Sequence, residues 1–280
     1  MTPESDVIEP KRVSVVIVLL DRIDTVRRSL AELGDEHQVL VVDNGSTDGA
    51  HALDEEFPNV RFIRLPKNFG LTKALNIGIR AAEGTYVLIL HDDAIVTGEA
   101  VSKLADFLEA RADAGAVAPL LLTDAGDHAP QVCELPSASA PNLVYKPAGF
   151  PNVSGYEMVA SCVSGAAIMF RTFFLRALGR IDERYGTYGS IVELCMQVRR
   201  ANRKILVLRD VTAVHEQLVS PVSKSTLEGD RASGTAVFIG KHGGLVAGIL
   251  YRLKAALIGL FTFRFKVLAG VLGGTKIDGA

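Results

Sequence analysis

The residues best placed to do chemistry are carboxylates and histidines in short polar clusters, and the densest cluster is His91-Asp92-Asp93. Aspartate oxygens ligate hard divalent cations such as Mg2+ or Mn2+. An ion held there would neutralise a diphosphate leaving group. Adjacent aspartates equally cap a helix or stay solvated. Asp43 opens the turn Asp43-Asn44-Gly45-Ser46. Its carboxylate can accept from the imide N–H of uracil or thymine, or it can close an Asx turn or cap a helix. Asn68 and Lys73 lie at a loop-to-helix junction (NFGLTKALN, residues 68–76). Lys73 there reaches a phosphate or stays on the surface. His215, followed by Glu216, ends an apolar run. Alone it reads as structural; facing the aspartates, it would complete a metal shell.

Positioning such residues requires strands that end where they begin. Residues 13–20 (VSVVIVLL) are apolar and β-branched nearly throughout, as a strand buried on both faces requires. A helix is expected over 24–33, a strand over 38–42, a short helix over 50–56, a strand over 60–65, a helix over 71–82 and a strand over 86–90. Further strands are expected over 166–170, 204–208 and 211–214, with helices reaching Leu178 and over 192–201. This alternation predicts an α/β fold with a mostly parallel central sheet flanked by helices. Ligands of such sheets collect at the carboxyl ends of the strands, where both polar clusters fall.

Residues 124–156 carry five prolines and read as an irregular insert, an extended loop or small subdomain over the site. Residues 1–12 read as a flexible N-terminus. The segment 244–274 is strongly apolar but interrupted by Arg252, Lys254, Arg264 and Lys266, too often for a spanning helix. It suits C-terminal apolar helices within 221–280, lying in a membrane interface or packed on the core or a second subunit.

Composition narrows the classes. Hydrophobic residues are 48% and charged residues 22%, with a net charge of −2, so nothing draws the chain to nucleic acid. Three cysteines without a CxxC pair read as buried hydrophobes in a reducing compartment. The polar start lacks a signal-peptide pattern, so a cytoplasmic location, at most at the inner membrane face, is expected. GxxxxGK[ST], GxGxxG and GxSxG are all absent.

In order, VSVVIVLLDR, VLVVDNGSTDG, KNFGLTKALNIGI, GTYVLILHDDA, SGAAIMFR, GRIDERYGTYG and VTAVHE resemble the motifs of inverting glycosyltransferases of family two. The sub-pattern is most similar to a rhamnosyltransferase-like bacterial branch that builds surface polysaccharides and glycolipids. The resemblance implies a GT-A (nucleotide-diphospho-sugar transferase) fold over 13–220. It implies a nucleotide-sugar donor, a carbohydrate or lipid-linked acceptor, and Mg2+ or Mn2+. Asp43 would bind the base, with Leu19, Asn68, Lys73 and Asp92 also on the donor; Asp93, His91 and His215 would hold the metal.

Three departures accompany it. Leu19 and Leu20 replace a polar pair, His91 replaces the first aspartate of the metal motif, and Ser190 and Ile191 occupy the usual acidic base positions. Glu193, Asp182 and Glu183 are then the candidate general bases. The competing readings are a degenerate nucleotide-sugar-binding module and a sugar-phosphate nucleotidyltransferase; the latter is disfavoured because no glycine follows the first strand.

Overall fold

The computed structural model describes residues 11–150, 157–220 and 222–273. Most of the 1–12 segment, residues 151–156 of the 124–156 insert and residues 274–280 of the tail lie outside them. Strands and helices alternate through the first half: β1 (Val13–Leu19), α1 (Ile23–Leu33), β2 (Gln38–Asp43), α2 (Leu53–Glu56), β3 (Arg61–Arg64), α3 (Leu71–Ala81) and β4 (Tyr86–His91). Then follow β5 (Ala94–Ile95), α4 (Gly98–Ala110), β6 (Ala114–Leu122), β7 (Pro130–Cys133), β8 (Lys146–Pro147), β9 (Glu157–Ala160) and β10 (Cys162–Val163). The remainder is β11 (Ala167–Arg171), α5 (Thr172–Leu178), α6 (Ser190–Arg200), β12 (Lys204–His215), α7 (Lys224–His242), α8 (Leu245–Phe261) and α9 (Phe265–Gly273).

The main sheet has nine strands, in the order β3-β2-β1-β4-β11-β6-β12-β5 with β9 also on β12. β1, β2, β3 and β4 are mutually parallel, β11 is antiparallel to β4 and β6, and β6 and β12 are parallel. The sheet is thus mixed, with its parallel strands β3-β2-β1-β4 on one side. Alternation along β1 divides its apolar side chains between two layers. Val16 and Val18 join the core against α3 and α6, whereas Val15, Ile17 and Leu19 join the core against α1 and α4.

Two regions differ from the sequence expectation. Residues 204–215 form one strand, not two; a register break between Leu208 and Thr212 leaves Arg209, Asp210 and Val211 out of the β6 pairing, which then resumes. Within 124–156, β7 pairs with β8, and its other edge pairs with β10, making a second, three-stranded sheet. Cys133 and Cys162 are cross-strand partners there, and all three cysteines are buried free thiols.

The described residues of the 244–274 segment, 244–273, fold as two helices that turn at Phe263, whose φ is +56°. α8 crosses α7 where Gly248 meets Gly240; a Cβ at Gly248 would lie 2.6 Å from the Gly240 Cα, so only glycine permits this approach. The buried face of α8 is the narrow stripe Gly248, Ala255 and Gly259. At about 100° per residue, its exposed apolar side chains spaced four residues apart, Leu245, Ile249, Leu253, Leu257 and Phe261, sweep an arc of about 160°. Arg252 and Lys254 fall on either margin of that arc. No helix among the described residues is long and apolar enough to cross a membrane.

Candidate donor and metal site

Parallel pairing aligns the carboxyl ends of the first strands: Val18 is in register with His91, Leu19 with Asp43, and Asp43 with Arg64. A cavity of about 210 Å3 opens at these ends, walled by Leu20, Arg22, Asn44, Asn68 and the His91-Asp92-Asp93 triplet. Thr187 and Ser220 face it from the second half of the chain.

One wall is the metal-ligand candidate. β12 pairs antiparallel with β5, setting His215 opposite Ala94, and this register delivers the imidazole to the triplet. One ligand atom each from His91, Asp93 and His215 lie within 4.8 Å of one another. His215 Nε2 is 3.2 Å and His91 Nδ1 3.8 Å from Asp93 Oδ1. Among the described residues, buried Asp93 Oδ1 and His215 Nδ1 have no hydrogen-bond partner. Buried polar atoms left unpaired are costly, and a divalent cation is a partner that would satisfy the carboxylate. Burial pushes the His91 imidazole down to about 4, so it is neutral and able to ligate at pH 7. Burial raises the Asp93 carboxyl, but His215, His91 and Arg22 outweigh it and hold the group below its usual range.

Arg22 is a charged residue of the cavity wall that spacing did not single out. It follows Asp21, which adopts φ +52° at the end of β1. Its guanidinium lies 3.5 Å from Asp92 and 3.6 Å from Asp93. It also donates to the carbonyls of Leu218 and Val219, at 3.2 and 3.1 Å. Asp92, which accepts from the Leu20 N–H at 3.1 Å, is raised to about 7 by burial despite the arginine.

The opposite wall is the turn after β2. Asp43 Oδ1 accepts from the Ser46 N–H at 2.8 Å, closing the turn, while Oδ2 takes Arg64 Nη1 at 2.7 Å. Asn44 and Asn68 latch the two loops: Asn44 Nδ2 donates to Asn68 Oδ1 at 2.9 Å, and Asn44 Oδ1 accepts from the Phe69 N–H at 2.9 Å. Gly45, at φ +86°, permits this approach; a Cβ there would lie 2.6 Å from the Lys67 backbone.

Residues 14–175, more than half of the chain, match the sequence profile of glycosyl transferase family 2. The chain belongs to that family. Succinoglycan biosynthesis protein ExoO of Rhizobium meliloti (strain 1021) is 34% identical over 108 residues, covering 36% of this chain and 30% of ExoO. The chain therefore spans about a third of that curated relative. Three solved structures share the GT-A fold. GalNAc-T7 with UDP, GalNAc and Mn2+ has a TM-score of 0.59 at 15% identity, over 76% of this chain and 45% of its own. Mannosyltransferase PcManGT of Pyrobaculum calidifontis with GDP-Man and Mn2+ has 0.56 at 17%, over 94% and 74%. S. aureus TarS has 0.56 at 16%, over 94% and 92%.

In this family 2 chain the remaining site candidates fall in different places. Leu19 is fully buried and contributes its carbonyl, which accepts from the Asn44 N–H at 2.9 Å. Lys73 stacks its ammonium over the Phe69 ring at 4.2 Å and shares a neighbouring depression with Glu183 and Lys67. The three candidate bases do not line the donor cavity. Asp182 is held by Arg184 at 2.6 Å, which keeps its carboxyl below the usual range. Glu193 is buried and fully engaged: Tyr185 Oη donates at 2.9 Å, Gln197 Nε2 at 2.7 Å and Lys241 Nζ at 2.8 Å, with His242 Nε2 at 2.7 Å. Burial pushes its carboxyl up, but these partners prevail and bring it to about 2. Of the pair at the usual base positions, Ile191 approaches the metal-ligand candidates, while the Ser190 hydroxyl is buried without a partner among the described residues. Gly165 lies between Ile191 and His91, its Cβ position 2.7 Å from Ile191 Cγ1 and 3.0 Å from His91 Nε2.

Proposed function

We propose that the protein is an inverting, metal-assisted glycosyltransferase of the rhamnosyltransferase-like branch. It moves a sugar from a dTDP- or UDP-sugar to a hydroxyl of a polysaccharide or lipid-linked acceptor, at the cytoplasmic face of a membrane. The observation that carries this reading is the juxtaposition, across one cavity, of the His91, Asp93 and His215 ligand atoms and the Asn44–Asn68 latch. Mg2+ or Mn2+ held by those three residues would neutralise the departing diphosphate, and two imidazoles beside one carboxylate suit Mn2+ better than Mg2+.

This chain's own residues supply the rest. The Asp43 turn and the latched asparagines bind and orient the nucleoside. Arg22 adds positive charge beside the aspartates, where the diphosphate would lie. The acceptor oxygen forms a bond to the anomeric carbon, the sugar–phosphate bond breaks with its electron pair leaving on the diphosphate, and the acceptor proton departs. With serine and isoleucine at positions 190 and 191 and no candidate base lining the cavity, that proton passes to water, which predicts turnover lower by roughly 10² to 10⁴ than with a positioned base. The apolar arc of α8, flanked by cations, supports contact with an anionic membrane.

A second reading has its own support. Ser190 and Ile191 cannot act as a base, and Glu193 is engaged on every side, as a donor-binding module without turnover would allow. Calorimetric titration with UDP, dTDP and GDP, with and without Mn2+, tests both. Metal-dependent binding of one nucleotide, followed by slow release of sugar with inverted configuration by NMR, is the expected result. Binding without turnover favours the module, and no binding to any nucleotide overturns both.

A further inference from the structure

A second cavity, of about 650 Å3, lies between the insert and the three C-terminal helices. Its walls are largely apolar, among them Pro141, Ala232, Ala247, Tyr251 and Val267, so it can accept hydrocarbon. Its rim is charged: Arg231, Lys254 and Arg264 stand there with Glu228 as the one acid. Glu228 engages Arg264 at 3.9 Å. Arg231 has no carboxylate partner among the described residues; it donates to Tyr188 Oη at 3.0 Å and lies over the Tyr188 ring. Lys254 likewise has no carboxylate partner among the described residues. Apolar walls beneath unneutralised cations are complementary to a lipid carrying a phosphate.

Two connections say which lipid. Leu250 and Lys254 lie both on the cavity and on the margin of the exposed apolar arc of α8, so the cavity is entered from the side that would face a membrane. Arg231 holds Tyr188, and the adjoining Thr187 lines the donor cavity. Buried Asp230 fixes this segment by accepting from the N–H groups of Thr187 and Tyr188, at 2.9 and 3.0 Å. A head group at Arg231 therefore sits one residue from the donor cavity.

We infer that this cavity binds the lipid-phosphate carrier of the acceptor, its hydrocarbon under α8 and its phosphate between Arg231 and Lys254. The assignment rests on the transferase reading for its role in the reaction, but not for the binding itself. Farnesyl monophosphate serves as the probe, with farnesol, inorganic phosphate and dihexanoyl phosphatidylglycerol as comparators, titrated into the full chain by calorimetry. Farnesyl monophosphate should bind, and each comparator should bind at least about tenfold more weakly. Lys254→Glu should weaken its binding by at least about tenfold, and Ala247→Phe, which fills the cavity, should abolish it. Manganese-dependent nucleotide binding and the melting temperature should hold in both variants. A protein that binds nucleotide but not farnesyl monophosphate overturns the inference, as do two folded variants that bind it undiminished. Equal binding of the phosphatidylglycerol overturns the carrier assignment in favour of bulk lipid. Farnesyl monophosphate binding without any nucleotide binding upholds the cavity while the transferase reading fails.

Discussion

His215, the last residue of β12, stands 3.2 Å from Asp93, just before β5, although the two are remote in sequence. The short antiparallel bridge of Ala94 with His215 is what joins them. Removing either ligand should strip the site of metal: Asp93→Ala and His215→Ala are expected to cut Mn2+-dependent nucleotide affinity by at least about tenfold, or 1.4 kcal/mol. Calorimetry with and without Mn2+ checks this, and an undiminished manganese effect in both variants would remove the assignment.

Arg22 is nearly buried against two carboxylates and two carbonyls. Arg22→Ala leaves the carboxylates without their cation, which typically costs about 3–5 kcal/mol for a buried pair. Urea unfolding at pH 7 should register a loss of at least about 2 kcal/mol. A change within error would mean that solvent already screens the cluster.

Glu193 is expected to act as an anchor for α7. Its folded carboxyl is held at about 2, below the usual value of 4.5, so its contribution is present above about pH 4.5 and is lost as pH falls toward 2. Glu193→Gln should lower stability at pH 7 by on the order of 2–3 kcal/mol and flatten the acid limb of the stability curve. The pH profile of turnover should stay unchanged. A variant that stays folded yet loses an acidic limb in that profile would reinstate Glu193 as the base.

Gly45→Ala forces a Cβ into the Lys67 backbone at a positive φ. A loss of about 1–3 kcal/mol is expected, together with weaker nucleotide binding as the Asn44–Asn68 latch opens. Thermal melts and calorimetry on the same sample separate the two effects.

The α8 arc predicts membrane contact. Leu253→Asp with Leu257→Asp should release the protein from phosphatidylglycerol vesicles in a sedimentation assay without lowering its melting temperature, since both side chains are more than half exposed. Retention on the vesicles would argue against this face.

What the sequence disclosed depended on how local the cause was. β1, β2 and β4 were legible because burial on both faces makes each a continuous apolar run. His91, Asp93 and His215 were legible as strand ends, and pairing geometry then brought them together. α4 and β6 went unplaced: β6 (AGAVAPLLL) is rich in alanine, carries Pro119 and lacks the β-branched signal of its neighbours. β12 was read as two strands because its bulge interrupts the apolar pattern at Arg209-Asp210. Glu193 was singled out as a candidate base, but its ion pairs escaped because Lys241 and His242 arrive from α7 and nothing local to α6 announces them. Arg22 escaped for a similar reason, since its partners come from β4 and the segment after β12.

The network around Glu193 also bears on where this molecule can be divided. The family match ends at residue 175, yet Tyr185, Val192, Val237 and Phe238 belong to the same core cluster as Val16 and Val42. Ending the chain at the match would keep α3 on that face of the sheet but strip it of α6 and α7. The portable unit extends through α7, and grafts or swaps between family members should exchange the sheet and that helix together.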